Sequence, residues 1–118
     1  MRNVFFHNPR CSKSRTALAL IEARGVTDLE IREYLKTPPS AEELAEIVGL
    51  LGARPVDLCR KGEQAFKDLG VGDGADVPDG EMIDQMIRNP IIIERPILVY
   101  GGRAAVGRPP ETVLALLA

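Results

Sequence analysis

The residues best suited to chemistry lie in one short segment near the start of the chain, HNPRCSKSR at positions 7–15. Its cysteine, Cys11, follows an apolar run that favours a strand and precedes a pattern that favours a helix. At a helix N-terminus, unpaired backbone N–H groups and the helix dipole stabilise a thiolate, so Cys11 is a candidate nucleophile. We expect the Ser14 hydroxyl to donate a further hydrogen bond to the sulfur. The polar and charged neighbours of Cys11 disfavour a purely structural, buried thiol.

The spacing after this cysteine is Cys-x-x-Ser, so no second thiol follows to resolve a covalent intermediate. An external thiol, either glutathione or a small redox protein, must then do so. The other cysteine, Cys59, follows Val56 and Leu58 in a pattern typical of helix packing, and we favour that role over a resolving one. Both cysteines are expected to be reduced thiols, since two are too few to cross-link a fold.

Cations would be needed around Cys11 to hold an oxyanion substrate. The phosphatase-type loop places an arginine six positions after its cysteine, and Ala17 at that position excludes it. Arginines from elsewhere must serve, because a guanidinium group binds a tetrahedral oxyanion through two parallel hydrogen bonds. From the pattern alone, each arginine beside a turn signal is either such a ligand or a solvated surface charge. The candidates are Arg60, Arg95 and Arg108.

The elements before residue 40 form a strand–helix–strand unit. Residues 4–6 favour a strand, residues 12–24 a helix that ends before Gly25, and residues 29–34 a second strand. Such a crossover makes its two strands parallel neighbours in one sheet.

The remainder of the chain predicts a helical insertion and then a second sheet segment. Ser40 and Glu43 form a capping box that opens a helix, and broken helical patterns continue to residue 88. Strands on either side of Gly101-Gly102 form an antiparallel hairpin, and a short final helix follows. The order βαβ, helical insertion, ββα is that of a thioredoxin-like α/β fold with a mixed sheet.

Length and charge limit the classes of function. At 118 residues the chain is expected to form one domain, 1–118. A net charge of −2 argues against nucleic-acid binding, and no apolar run reaches the ~20 residues of a membrane span. The first residues lack the features of a signal peptide, so a cytoplasmic location is expected.

Four separated segments together resemble the glutaredoxin-coupled arsenate reductase family. They are HNPRCSKSR at the first loop, LCRKG around Arg60, RNPIIIERPILV around Arg95 and GRPPETVLALL around Arg108. The resemblance covers nearly the whole chain in order, and it implies a thioredoxin-like fold with a helical insertion.

The resemblance also implies roles for individual residues. Cys11 matches the cysteine that attacks arsenate, and the three candidate arginines match those that bind the oxyanion. His7 matches a histidine that assists the thiolate, Ser14 a serine of the same loop, and Pro96 a proline whose peptide bond is cis. Glutathione is then the reducing co-substrate, glutaredoxin the partner, and arsenic detoxification the purpose. Neither a bound metal nor a nucleotide cofactor is signalled.

Two alternatives from other classes remain open on the sequence. A monothiol, glutathione-dependent oxidoreductase acting on mixed disulfides also uses Cys-x-x-Ser, but it has no use for three converging arginines. A redox-sensing regulator that binds RNA polymerase typically uses a Cys-x-x-Cys switch, against which Ser14 argues.

Overall fold

The computed structural model describes residues 1–117 and divides the chain into two compact units. One unit contains Met1–Thr37 together with the chain from Arg95 onward, and the other contains Pro38–Glu94. The single domain predicted from the chain length stays a prediction.

The first unit contains a four-stranded mixed sheet and one long helix. Its elements are β1 (Val4–His7), α1 (Ser12–Ala23), β2 (Glu30–Glu33), β3 (Ile97–Tyr100) and β4 (Arg103–Val106). The strand order is β2-β1-β3-β4, with β1 parallel to β2 and antiparallel to β3. The parallel pair and the β3–β4 hairpin were both predicted from the sequence, and both are confirmed.

Two glycines close the hairpin as predicted. Gly101 and Gly102 have φ values of 59° and 74°, which favour glycine because a β-carbon disfavours the left-handed region. The turn fixes the register in which Ile97 lies opposite Val106.

The core of this unit lies between the sheet, α1 and a C-terminal 3₁₀ helix, Pro110–Leu117. A final helix was predicted, and its 3₁₀ form is the new observation. Thr112 N–H donates to the Pro109 carbonyl three residues back, which begins the tighter hydrogen-bond pattern. The buried residues that pack together here are Phe5, Ala17, Ile21, Leu98, Ala105, Val113 and Leu116.

The second unit is the predicted helical insertion. It contains α2 (Ala41–Leu51), α3 (Gln64–Lys67) and α4 (Asp79–Arg88), with 3₁₀ helices at Pro55–Leu58 and Pro90–Ile92. The predicted capping box opens α2: Glu43 N–H donates to Ser40 Oγ at 3.1 Å, and Ser40 N–H donates to Glu43 Oε1 at 2.9 Å.

Candidate active site

Cys11 lies at the N-cap of α1, as predicted, and its thiol is free and partly exposed. The thiol makes no capping hydrogen bond to the helix, yet the nearby backbone N–H groups of Ser14 and Lys13 stabilise its anion. A neutral thiol is a weak hydrogen-bond acceptor whereas a thiolate is a strong one, so these N–H groups stabilise the anion more than the neutral thiol.

Opposing influences set the acidity of this thiol. Burial raises the pKa of Cys11, but the N–H groups of Ser14 and Lys13 and the charge and hydrogen bond of Arg95 lower it. The net result is a pKa below the ordinary value for a cysteine. More of Cys11 is therefore thiolate at neutral pH than of an unperturbed cysteine.

A tight turn, residues 8–11, connects β1 to this cysteine. Cys11 N–H donates to the Asn8 carbonyl at 3.0 Å, and Arg10 N–H donates to Asn8 Oδ1 at 3.0 Å. Pro9 occupies the second turn position, where its fixed φ is favourable, and Arg15 Nη1 donates to the Pro9 carbonyl at 2.9 Å. The Asn8 side chain is buried, so its hydrogen bond to Arg10 N–H stabilises the turn from within the protein.

The Ser14 hydroxyl does not have the role that the sequence suggested. It is fully buried, lies 2.7 Å from His7 Nδ1 and accepts a hydrogen bond from Asn8 N–H at 3.0 Å. Side chains of a helix point back towards its N-terminus, so this hydroxyl reaches the end of β1. Ser14 acts on Cys11 through its backbone N–H, and its hydroxyl fixes the loop.

His7 lies behind the loop, buried against Ser14. Burial lowers the pKa of His7 below 6.5; Glu33 and Glu22 oppose this shift and Arg15 adds to it. The imidazole is therefore neutral at physiological pH. It contacts the loop through the Ser14 hydroxyl, and its predicted assistance to the thiolate stays a prediction.

Sheet register brings Arg95 and Arg108 to one edge of the sheet. Ile97 pairs with Val106, and beyond this pair Gly107 N–H donates to the Pro96 carbonyl, so Arg95 and Arg108 flank the start of β3 and the end of β4. Arg108 Nη1 donates to the Arg95 carbonyl at 3.4 Å. Because Phe6 pairs with Ile97, the same edge lies beside the turn that leads to Cys11. Two of the three predicted arginines thus belong with the thiol in one unit.

Gly107 has a positioning role that the sequence analysis missed. Its N–H donates to the Pro96 carbonyl at 2.9 Å, and a β-carbon at Gly107 would lie 2.7 Å from Pro96 Cγ. The Arg95–Pro96 peptide is cis, as the resemblance implied, and so is Arg108–Pro109. The Gly-Arg-Pro-Pro run was the available signal, since a glycine beside such a turn often marks close backbone approach.

Arg60 belongs to the second unit. Its backbone N–H donates to the Ile92 carbonyl at 2.7 Å, its Nη1 donates to the Ile91 carbonyl at 3.2 Å, and its guanidinium pairs with Glu63. These contacts hold a side chain that is only 17% exposed. Its convergence on Cys11 stays a prediction.

Cys59 is buried in the second unit, in agreement with the predicted packing role. Its thiol donates to the Pro55 carbonyl at 3.6 Å. Burial raises the pKa of Cys59 to about 11, so it is a protonated thiol at neutral pH.

The described part of the chain, residues 1–117, contains neither a metal-binding cluster nor a membrane-spanning helix. No group of three or more His, Cys, Asp or Glu side chains there is arranged to hold a metal ion. None of the helices within the same residues combines the length and apolarity needed to cross a membrane.

Comparison with known proteins decides the family. The ArsC family model matches residues 6–116. The chain belongs to the ArsC family. A protein named arsenate reductase in Neisseria meningitidis is 42% identical over 113 residues, which is 95% of each chain. One of the same name in Escherichia coli strain K12 is 36% identical over 118 residues, covering 99% of this chain and 82% of that one.

The solved structures agree with this assignment. An arsenate reductase from Vibrio cholerae superposes with a TM-score of 0.89 at 43% identity, covering 98% of both chains. One described as a putative arsenate reductase from Yersinia pestis gives 0.88 at 43% identity, covering 96% of this chain and 98% of that one. This ArsC-family chain therefore has the thioredoxin-like fold predicted from its element order.

Proposed function

We propose that this protein reduces arsenate to arsenite, with Cys11 as the nucleophile. The observation that carries the proposal is a thiol of lowered pKa at the start of α1, stabilised by Arg95, with Arg108 against the same sheet edge. The arsenate reductases of Neisseria meningitidis and Escherichia coli, at 42% and 36% identity, support arsenate as the substrate.

The first step is a condensation. The Cys11 sulfur bonds to arsenic and one arsenate oxygen leaves as water, so that RSH and H₂AsO₄⁻ give RS–AsO₃H⁻ and H₂O. Arg95 and Arg108 neutralise the oxyanion and the charge that develops on its oxygens. By the family resemblance, Arg60 supplies a third cation. No electrons have moved at this stage, and arsenic is still pentavalent.

Glutathione and glutaredoxin supply the two electrons. Glutathione condenses with the Cys11 adduct, forming an arsenic–sulfur bond and releasing a second water. A glutaredoxin thiolate then attacks the glutathione sulfur, forms a mixed disulfide and leaves the electron pair on arsenic. Hydrolysis of the remaining Cys11–arsenic bond releases arsenite and regenerates the thiol. We place this chemistry in the cytoplasm, where glutathione keeps thiols reduced, and assign it to arsenic detoxification.

The test is arsenate-dependent oxidation of NADPH by the purified protein, coupled through glutathione, glutaredoxin and glutathione reductase. We expect turnover in the wild type and none in Cys11→Ser. Cys59→Ser is the matched control: it changes the buried thiol and is expected to keep turnover, with its folding checked by circular dichroism. Absence of turnover in folded wild-type protein would contradict the proposal.

A second assay separates this function from a monothiol oxidoreductase. Reduction of a glutathione mixed disulfide needs Cys11 but no oxyanion site. Arg95→Ala should therefore lose most of its arsenate turnover but largely keep any mixed-disulfide activity that the wild type has. An Arg95→Ala protein with full arsenate turnover would overturn the assignment of the oxyanion site.

A further inference from the structure

A cleft opens where β1 and β2 end. The two strands are parallel, with His7 opposite Glu33, so the segments that follow them leave the sheet at the same edge. A cavity of about 590 Å³ lies there, within the range typical of small-molecule sites. We call it the β1–β2 cleft, and its lining residues are His7, Asn8, Pro9, Arg10, Glu33, Leu35 and Lys36.

The position of this cleft favours a ligand of the Cys11 reaction. Crevices outside the carboxyl ends of parallel strands are the usual ligand sites of α/β sheets. One wall is the turn of residues 8–10, which leads directly to Cys11, and its Asn8 carbonyl accepts the hydrogen bond from Cys11 N–H. A molecule held in the cleft is therefore next to the loop that carries the nucleophile.

The charges of the cleft indicate which ligand it fits. Arg10 and Lys36 are exposed cations, and Glu33 adds one carboxylate. Lys36 Nζ lies 3.4 Å from Glu33, but both side chains are well exposed, so their ion pair is weak and leaves each able to bind a ligand. Leu35, which is 38% exposed, provides an apolar contact.

We infer that the β1–β2 cleft binds the reducing co-substrate, a peptide thiol with two carboxylates and one ammonium group. Two cations match the carboxylates, Glu33 matches the ammonium, and Leu35 contacts the backbone between them. A bare oxyanion is a poorer fit, because Glu33 repels it. The inference rests on the proposed function, in which glutathione is that thiol.

Direct binding tests the cleft without any reaction. S-methylglutathione cannot form the arsenic–sulfur bond, so it can be titrated into ¹⁵N-labelled wild-type protein. We expect saturable shifts of the amide signals of Asn8, Arg10 and residues 34–36, and their loss in the double variant Arg10→Gln/Lys36→Gln. Shifts confined to other residues, or equal shifts with inorganic phosphate, would overturn the inference.

Kinetics provide the second test. In the double variant we expect the KM for glutathione to rise roughly three- to tenfold, as for the loss of two exposed ion pairs, with the KM for arsenate unchanged. Turnover driven by the neutral thiol 2-mercaptoethanol should match the wild type. Arg24→Gln, which removes an exposed arginine at the far end of α1, is the matched control.

The two proposals fail in distinguishable ways. Folded wild-type protein that does not turn over arsenate would contradict the proposed function, while the S-methylglutathione titration would still test binding in the β1–β2 cleft. An unchanged KM for glutathione in the double variant would overturn the cleft alone.

Discussion

Cys11 and Cys59 carry the same thiol in surroundings that shift its pKa in opposite directions. Burial raises the pKa of both, but at Cys11 the N–H groups of Ser14 and Lys13 and the Arg95 guanidinium more than offset it. At Cys59 burial dominates and raises the pKa to about 11.

The difference shows how little of the reactivity belongs to the cysteine itself. Cys11 follows a turn and precedes a helix, where backbone N–H groups have no partner within the helix. Cys59 follows a short 3₁₀ helix, and its sulfur contacts the Pro55 carbonyl, which disfavours an anion. The site is therefore made by the N-terminus of α1 and the segment that leads into β3, and the thiol is one part of it.

Alkylation should reveal the largest contrast between the two thiols. With a pKa of about 11, Cys59 is thiolate in about one molecule in ten thousand at pH 7. Cys11, with a pKa below its ordinary value, should react with iodoacetamide at least about a hundredfold faster. Mass spectrometry of labelled peptides measures both rates in one sample, with labelling in urea as the control for Cys59. Comparable rates in the folded protein would contradict the contrast.

Removing Arg95 should reduce both the difference in pKa between Cys11 and Cys59 and the arsenate turnover. Arg95→Ala is expected to raise the pKa of Cys11, because it removes a charge and a hydrogen bond that favour the thiolate. It should also reduce arsenate turnover about 100-fold, as for loss of one oxyanion ligand. The rise in the pKa of Cys11 is measured from thiolate absorbance at 240 nm as a function of pH, in a Cys59→Ser background. Arg103→Ala, an exposed arginine of β4, is the control that should change neither quantity.

Gly107→Ala tests whether close packing positions the two arginines. The added methyl would lie 2.7 Å from Pro96 Cγ and 3.2 Å from Val113 Cγ1, so Pro96 must shift. We expect a loss of about 1–3 kcal/mol in the free energy of unfolding and a drop of roughly tenfold in kcat/KM for arsenate.

Gly49→Ala is the matched control for this substitution. It lies inside α2, where a β-carbon would meet no atom within 4 Å. Alanine should stabilise that helix by about 0.5–1 kcal/mol and leave turnover unchanged. Urea denaturation compares the two variants, and equal stabilities would contradict the packing argument.

Local signals explain what the sequence could predict. Three predicted features depend only on a few neighbouring residues, and all three were confirmed. They are the capping box of Ser40 and Glu43, the Gly101-Gly102 turn and the helix start after Cys11. The family resemblance then favoured an oxyanion-binding role for three arginines that the local pattern could not distinguish from solvated surface charges.

Contacts through space explain what the sequence analysis missed. The Ser14 hydroxyl was expected to bond the sulfur, but the direction of its side chain on α1 takes it to His7. The packing of Gly107 on Pro96 depends on residues eleven positions apart, brought together by the β3–β4 register. Periodicity in the sequence predicts neither the partner of the Ser14 hydroxyl nor the packing of Gly107 on Pro96.

The smallest expected effect concerns His7, the single histidine of the chain. Burial lowers its pKa below 6.5 in the folded state, so the unfolded chain binds a proton first as pH falls. The stability that neutral His7 contributes is therefore complete above about pH 6.5 and is lost as pH drops through 6.5 towards the folded pKa. Urea denaturation between pH 7.5 and 5 should show a steeper loss of stability in wild type than in His7→Gln.

The same variant tests how the thiolate of Cys11 is stabilised. Because the groups that lower the pKa of Cys11 are Ser14 N–H, Lys13 N–H and Arg95, that pKa should stay below its ordinary value in His7→Gln. A return to the ordinary value, seen in the 240 nm titration, would mean that an imidazolium charge stabilises the thiolate. Parallel stability profiles for the two proteins would contradict a buried, neutral His7.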